Sequence, residues 1–179
     1  MASSASAKRY ASAAFSVAAE SGDYDVWLDT LGDLSRIMQM PSAHIVFTSP
    51  TVAPADKRAA LDRLLPHASP LVRNFLHILA DRDRLDETPG ITEALREAVN
   101  RRRGIMTAEV TTAVPLDAEM ERTVTQRLAA YLKRQPGQIA LRTRVDPSLI
   151  GGVIARVGDE VIDDSVRGRL ERLRRVISD

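Results

Sequence analysis

Three histidines, one dense acidic group, one glycine-rich turn region and two arginine clusters are the residues of this 179-residue chain best equipped for chemistry. His44, His67 and His77 fall in three separate segments, with no H-E-x-x-H pair and no G-x-S-x-G elbow at any serine. Nothing assembles a nucleophile, a base and an orienting group, so no catalytic residue is expected. Asp159, Glu160, Asp163 and Asp164 offer oxygens to a hard cation but lack calcium-loop spacing, and turn and cap duties account for them. Gly151, Gly152 and Gly158 fall between predicted strands, with no helix N-terminus to cradle phosphate, and read as turn glycines. Arg101, Arg102 and Arg103, and then Arg167, Arg169, Arg172, Arg174 and Arg175, could track phosphates. Aromatics make up 4% of the chain, too few for a base-stacking platform. Both clusters lie at predicted helix C-termini, where cations offset the helix dipole. An RNA-binding helical module using these arginines is the alternative function; no cofactor and no metal are expected.

Composition narrows the field further. The 25 basic and 24 acidic residues nearly cancel, and the absence of cysteine excludes disulfides and thiolate metal sites. No window approaches the roughly 18 apolar residues of a membrane span, so any membrane role is expected to run through a partner. The first fifteen residues, rich in Ser and Ala, faintly resemble a transit peptide. Tyr10, Ala14 and Val17 on one helical face, with Ala11, Phe15 and Ala18 on another, favour a helix instead.

The elements that must position these residues come in two groups. Residues 4–21, 23–40, 43–47, about 54–65, 70–81 and 88–99 read as consecutive helices. The second carries Trp27, Leu31, Leu34 and Met38 on one stripe, and Thr88 is expected to cap the sixth. The fifth has two apolar faces, Leu71, Phe75 and Ile78 beside Val72, Leu76 and Leu79. Residues 107–114 then read as a strand, and Asp117 caps a helix with Met120, Val124, Leu128 and Leu132, which Pro136-Gly137 ends. Residues 139–145 form a second strand with Ile139, Leu141, Thr143 and Val145 inward. Asp146-Pro147 turns, Val153 to Val157 and Val161-Ile162 are short strands, and Asp164 or Ser165 caps a last helix with Val166, Leu170, Leu173 and Ile177. The expected fold is mainly α, a six-helix bundle over residues 1–106 followed by a small α+β domain over residues 107–179.

Surplus apolar helical surface is the positive functional signal. The first helix offers Ala7, Ala11, Ala13, Ala14 and Ala18 around Tyr10 and Phe15, and the fifth offers its second face. The spare face either lines a groove for a partner's amphipathic helix or is buried because the fifth helix is central.

Three stretches carry a family resemblance. They are Lys8-Arg9-Tyr10-Ala11-Ser12-Ala13-Ala14-Phe15, Asn74-Phe75-Leu76-His77-Ile78-Leu79 with Asp83-Arg84-Leu85, and Val145-Asp146-Pro147-Ser148-Leu149-Ile150-Gly151-Gly152 continuing to Asp163-Asp164-Ser165-Val166-Arg167. In this order they resemble the delta subunit of the bacterial F-type ATP synthase, homologous to the mitochondrial oligomycin-sensitivity-conferring protein. The resemblance implies a non-catalytic stator on the cytoplasmic face of the bacterial cell membrane, peripheral and held there only through the complex. It implies that the N-terminal domain holds the N-terminal helix of an alpha subunit between the first and fifth helices, at Tyr10, Ala14, Asn74 and Ile78 with Trp27 nearby. It also implies that the C-terminal domain holds the end of the peripheral-stalk b subunits, with Asp146, Gly151, Gly152, Asp163 and Ser165 as its structural motif. The family commonly has Gly where this chain has Asp164.

Overall fold

The computed structural model describes residues 4–170. The expected positions of Leu173 and Ile177, and of Arg172, Arg174 and Arg175, lie outside them. The fold is mainly helical, with a four-stranded sheet towards the C-terminal end. Two compact units part between Val99 and Asn100, inside a helix, at the last residue that this helix buries.

In the first unit the helices are α1 Ala5–Ser21, α2 Tyr24–Met38, α3 Pro41–Thr48, α4 Pro54–Leu64, α5 Pro70–Asp81 and α6 Thr88–Arg102. Their starts are written locally. Ser4 accepts from the Ala7 N–H at 2.9 Å, and prolines with fixed φ open α3, α4 and α5. The core draws on Trp27, Leu31 and Leu34 from α2, Leu61 from α4, Val72, Leu76 and Leu79 from α5, and Ile91, Leu95 and Val99 from α6. The fully buried side chains that α1 adds to it are the methyl groups of Ala7, Ala11, Ala14 and Ala18, with Tyr10, Phe15 and Val17 half-buried against it. One polar clamp crosses this core. The Ser35 and Thr92 hydroxyls lie 2.9 Å apart, and Thr92 also donates within reach of the Leu31 carbonyl at 3.2 Å and the Thr88 carbonyl at 2.8 Å.

Thr88 is not the cap that the sequence suggests. A 3₁₀ turn, Leu85–Glu87, runs directly into α6, so Thr88 is already helical and its hydroxyl donates back to the Leu85 carbonyl at 2.7 Å. Three helices stop by one device, a residue in the left-handed conformation followed by two backward hydrogen bonds. After α5, Asp83 (φ 50°) donates to the Ala80 carbonyl and Arg84 to that of Leu79. After α6, Gly104 (φ 69°) donates to Arg101 and Ile105 to Asn100. The third stop falls in the second unit.

That second unit contains β1 Met106–Thr112, α7 Ala118–Tyr131, β2 Ile139–Val145, β3 Val153–Val157 and β4 Glu160–Asp163, with helical backbone again at 166–170. Strand order is β2-β1-β3-β4. β1 and β2 are parallel, bridged by α7, and the other pairs are antiparallel. Ala108 and Val110, Leu128 and Ala129, Ile139, and Ala155 and Val157 form the core. The expected inward alternation of β2 holds only at its start. Ile139 is buried and Leu141 half-buried, but Thr143 and Val145 are exposed, because this edge strand outruns the surface α7 covers.

Asp117 caps α7 by accepting from the Met120 N–H at 2.7 Å. The helix ends at Tyr131, before the Pro136-Gly137 stop read from the sequence. Lys133 (φ 53°) donates to the Ala130 carbonyl and Arg134 to that of Ala129. A non-glycine in this conformation costs about 1 kcal/mol. Lys133→Gly is therefore expected to stabilise the chain by about 1 kcal/mol. Asp83→Gly should instead destabilise it, because Asp83 accepts the 2.7 Å ion pair of Lys57, whose side chain is 1% exposed. Losing a charged hydrogen bond costs about 1.5–3 kcal/mol, more than the relaxed backbone returns. Chemical denaturation of the two variants checks the opposite signs.

Candidate functional site

The helical period divides α5 cleanly. Val72, Leu76 and Leu79 are buried, Phe75 sits at the border, and Leu71 (48% exposed), Asn74 and Ile78 (51%) form an outward stripe at spacings of three and four. The fifth helix is thus not buried on all sides, and one of its two apolar faces stays open. At that border Tyr10 of α1 meets Phe75 edge-on, ring centroids 6.5 Å apart, and Trp27 of α2 packs on Phe75 at 5.4 Å.

The five residues of the first-unit site separate into two layers. Asn74 and Ile78 are exposed and Tyr10 is half-buried beside them. Ala14 and Trp27 are buried beneath, at 0% and 1% exposure. They can shape a surface but present none of it themselves. Leu71 belongs to the outer stripe, and its place on the Phe75–Ile78 face was legible in the sequence.

The C-terminal motif is a backbone lock. The Asp146 carboxylate accepts from the Ser148 N–H at 2.9 Å and the Asp146 carbonyl from the Leu149 N–H at 3.1 Å. The Ser148 hydrogen bonds, with Arg144 and Arg167 nearby, hold the Asp146 carboxyl below its ordinary pKa. Gly152 is left-handed (φ 83°), and a Cβ there would lie 2.5 Å from the Asp164 carbonyl oxygen. No side chain fits, because the Asp164 N–H donates to Val153 and the Val166 N–H to Gly151 across this gap. Gly151 carries no such demand, since its added Cβ would meet Val166 at an ordinary 3.4 Å. Asp163 accepts from the Ser165 N–H at 2.8 Å, and the Ser165 hydroxyl accepts from the Gly168 N–H at 3.0 Å as the helix cap. Gly168 was not singled out in the sequence; a Cβ there would press on the Asp163 carboxylate at 2.7 Å. Asp164 needs no left-handed turn, since Asp83 and Lys133 are the positive-φ non-glycines among the described residues.

The remaining polar candidates stay apart. His44 is exposed on α3, His67 lies 3.4 Å from Asp33, and His77 pairs with Asp62 at 3.0 Å. Glu160 accepts from the Tyr131 hydroxyl at 3.0 Å, which holds the phenol pKa above its usual value, and Asp164 pairs with Arg169. Among the described residues no three acidic or histidine side chains could hold a metal ion, and no helix is long and apolar enough to cross a membrane.

A family model described as ATP synthase delta (OSCP) subunit matches residues 7–177. The chain belongs to this family. Among its relatives is the ATP synthase subunit delta of Anaeromyxobacter dehalogenans (strain 2CP-C), 37% identical over 175 residues that span 96% of each chain. That of Carboxydothermus hydrogenoformans is 34% identical over 178 residues, 99% of each. The fold is similar to that of a chain in the cryo-EM structure of the Toxoplasma gondii mitochondrial ATP synthase hexamer, with a TM-score of 0.66, 22% identity and 97% of each chain covered. Membership in the delta (OSCP) family makes the chain a subunit of an ATP synthase.

The layered site predicts opposite behaviour at two of its positions. Ala14→Arg forces a cation into a core with no room for it and should abolish cooperative unfolding, whereas Ile78→Asp on the exposed stripe should change the denaturation midpoint little. In the second unit, the depressed Asp146 pKa means that its contribution to stability is present above the ordinary carboxylate value and lost as pH falls through the lower folded value. An NMR titration should place the Asp146 midpoint below that of an ordinary aspartate, and Ser148→Ala should raise it.

Proposed function

We propose that this chain is the non-catalytic stator adaptor of an F-type ATP synthase. An N-terminal six-helix bundle, residues 1–106, grips the N-terminal helix of an alpha subunit, and the α+β domain, residues 107–179, holds the end of the peripheral-stalk b subunits. The observation that carries the first half is the open stripe Leu71, Asn74 and Ile78 on α5, beside Tyr10 and above buried Ala14 and Trp27. Apolar side chains at three- and four-residue spacing, with one carboxamide among them, are what an amphipathic helix meets when it lies in a groove. Family membership and the full-length relatives named ATP synthase subunit delta support the same reading.

The mechanism is mechanical. Rotation of the central stalk exerts a counter-torque on the catalytic head, and the adaptor ties that head to the stationary stalk. Such a part has no substrate and no cofactor. It needs affinity, about 12 kcal/mol for a nanomolar contact, and a desolvated apolar helix face is a suitable source. On this reading the chain sits on the cytoplasmic face of the bacterial cell membrane, peripherally and through the complex, and serves ATP synthesis coupled to hydrogen ion transport.

A peptide of the alpha subunit's N-terminal segment should bind the full chain, and Ile78→Asp should weaken that binding by about a hundredfold while the chain stays folded. Calorimetric titration measures this, with circular dichroism as the control for folding. Unchanged binding by the variant removes the assignment of the α5 stripe.

A further inference from the structure

The open flank of α5 carries charge at its ends as well as apolar groups along its length. On α1, Arg9, Ala13, Ser16 and Glu20 recur at four, three and four residues and form one exposed rim beside half-buried Tyr10. The Arg9 guanidinium leans over the Tyr10 ring, 5.9 Å from its centroid. On α5, the stripe of Leu71, Asn74 and Ile78 is prolonged by exposed Arg82, one turn beyond Ile78. Arg82 caps the helix, and its N–H still donates to the Ile78 carbonyl at 3.1 Å.

The two helices run antiparallel. Tyr10 meets Phe75, and the start of α1 reaches the turn that follows α5, where the Ser4 hydroxyl donates to the Glu87 carboxylate at 3.2 Å. Arg9 and Arg82 therefore stand towards one end of the groove and Glu20 towards the other, about 16 Å from Arg9 along α1. None of the three has an ionic partner among the described residues. The other charges of α5 are committed to α4, Arg73 and His77 to Asp62 and Asp81 to Arg58.

Apolar burial has no direction, so a helix laid on Leu71, Ile78 and Tyr10 gains a similar amount whichever way round it lies. Unmatched charges of opposite sign at the two ends decide between those arrangements. We propose that the groove reads the charge order of its helix, taking a carboxylate-bearing end against Arg9 and Arg82 and a cation-bearing end against Glu20. This rests on the reading that the groove receives the N-terminal helix of an alpha subunit. It adds the charge order that helix carries and the way round it lies. Between the charged ends, Ala13 and Ser16 keep the α1 rim low enough for a helix to approach closely.

The test uses the full chain and a peptide of the alpha subunit's N-terminal segment from the same ATP synthase, titrated by calorimetry in low salt. Arg9→Glu combined with Arg82→Glu should weaken binding about tenfold and Glu20→Lys about threefold, and both losses should shrink in about 1 M salt, which screens exposed charges. Lys8→Glu should change binding less than about 1.5-fold, because Lys8 lies on the opposite flank of α1 with Phe15, which stacks on Tyr24 of α2. Circular dichroism confirms that the variants remain folded. A nitroxide on the carboxylate-bearing end of the peptide should broaden the amide signals of Arg9 and Arg82. If the unaltered chain does not bind the peptide, the alpha-subunit reading of the groove falls and the charge order with it. If Ile78→Asp weakens binding but the charge variants bind equally well, or if the nitroxide broadens Glu20 instead, the charge order is overturned while the groove reading stands.

Discussion

The alanine stripe of α1 sets the terms for the first unit. Ala7, Ala11, Ala14 and Ala18 are all buried, so α1 lies close against the core and meets it with methyl groups. Four buried methyls contribute about 3 kcal/mol by area, a modest hold for a helix of 17 residues. The longer α1 side chain that meets α5, Tyr10, packs edge-on against Phe75 at the border of its buried face. Leu71 and Ile78 stay in water although the core beside them is filled by Val72, Leu76 and Leu79. Small residues let α1 pack closely, and the flank of α5 beyond Phe75 stays open.

Around that constraint the chain spends its polar groups on holding elements still. Lys57 and Asp83 tie α4 to the end of α5, and the Ser35–Thr92 pair ties α2 to α6. In the second unit Asp163, Ser165 and Gly152 fix how the chain leaves the sheet. No described cluster is left with the geometry of a nucleophile and base or of a metal site. On the proposed reading the surface left for recognition is the apolar stripe of α5 that the fold leaves uncovered.

Much of this was legible in the sequence, for identifiable reasons. Apolar periodicity located the helices of the first unit, and proline and serine marked their starts because those residues act through the local backbone. The sequence reading failed where the deciding contact is distant or the residue is atypical. Thr88 looks like a cap, but the preceding 3₁₀ turn makes it helical. Lys133 and Asp83 end helices in a conformation that composition does not advertise for them. Val145 points to the core side of the sheet yet is exposed, since how far α7 reaches is a tertiary fact. For the same reason periodicity could assign Ala14 and Ile78 to apolar faces without telling which one the core would take. The resemblance in the last motif was specific because steric demand fixes Gly152 and capping fixes Ser165.

The central claim is that the open flank of α5 receives a partner helix. Isotope-labelled full chain, titrated with the alpha subunit's N-terminal peptide and followed by amide chemical shifts, tests it most directly. The account predicts the largest shifts at Leu71, Asn74 and Ile78 and at Tyr10, with the second unit unmoved. Shifts confined to other helices or to the sheet, or none at all at saturating peptide, would contradict it.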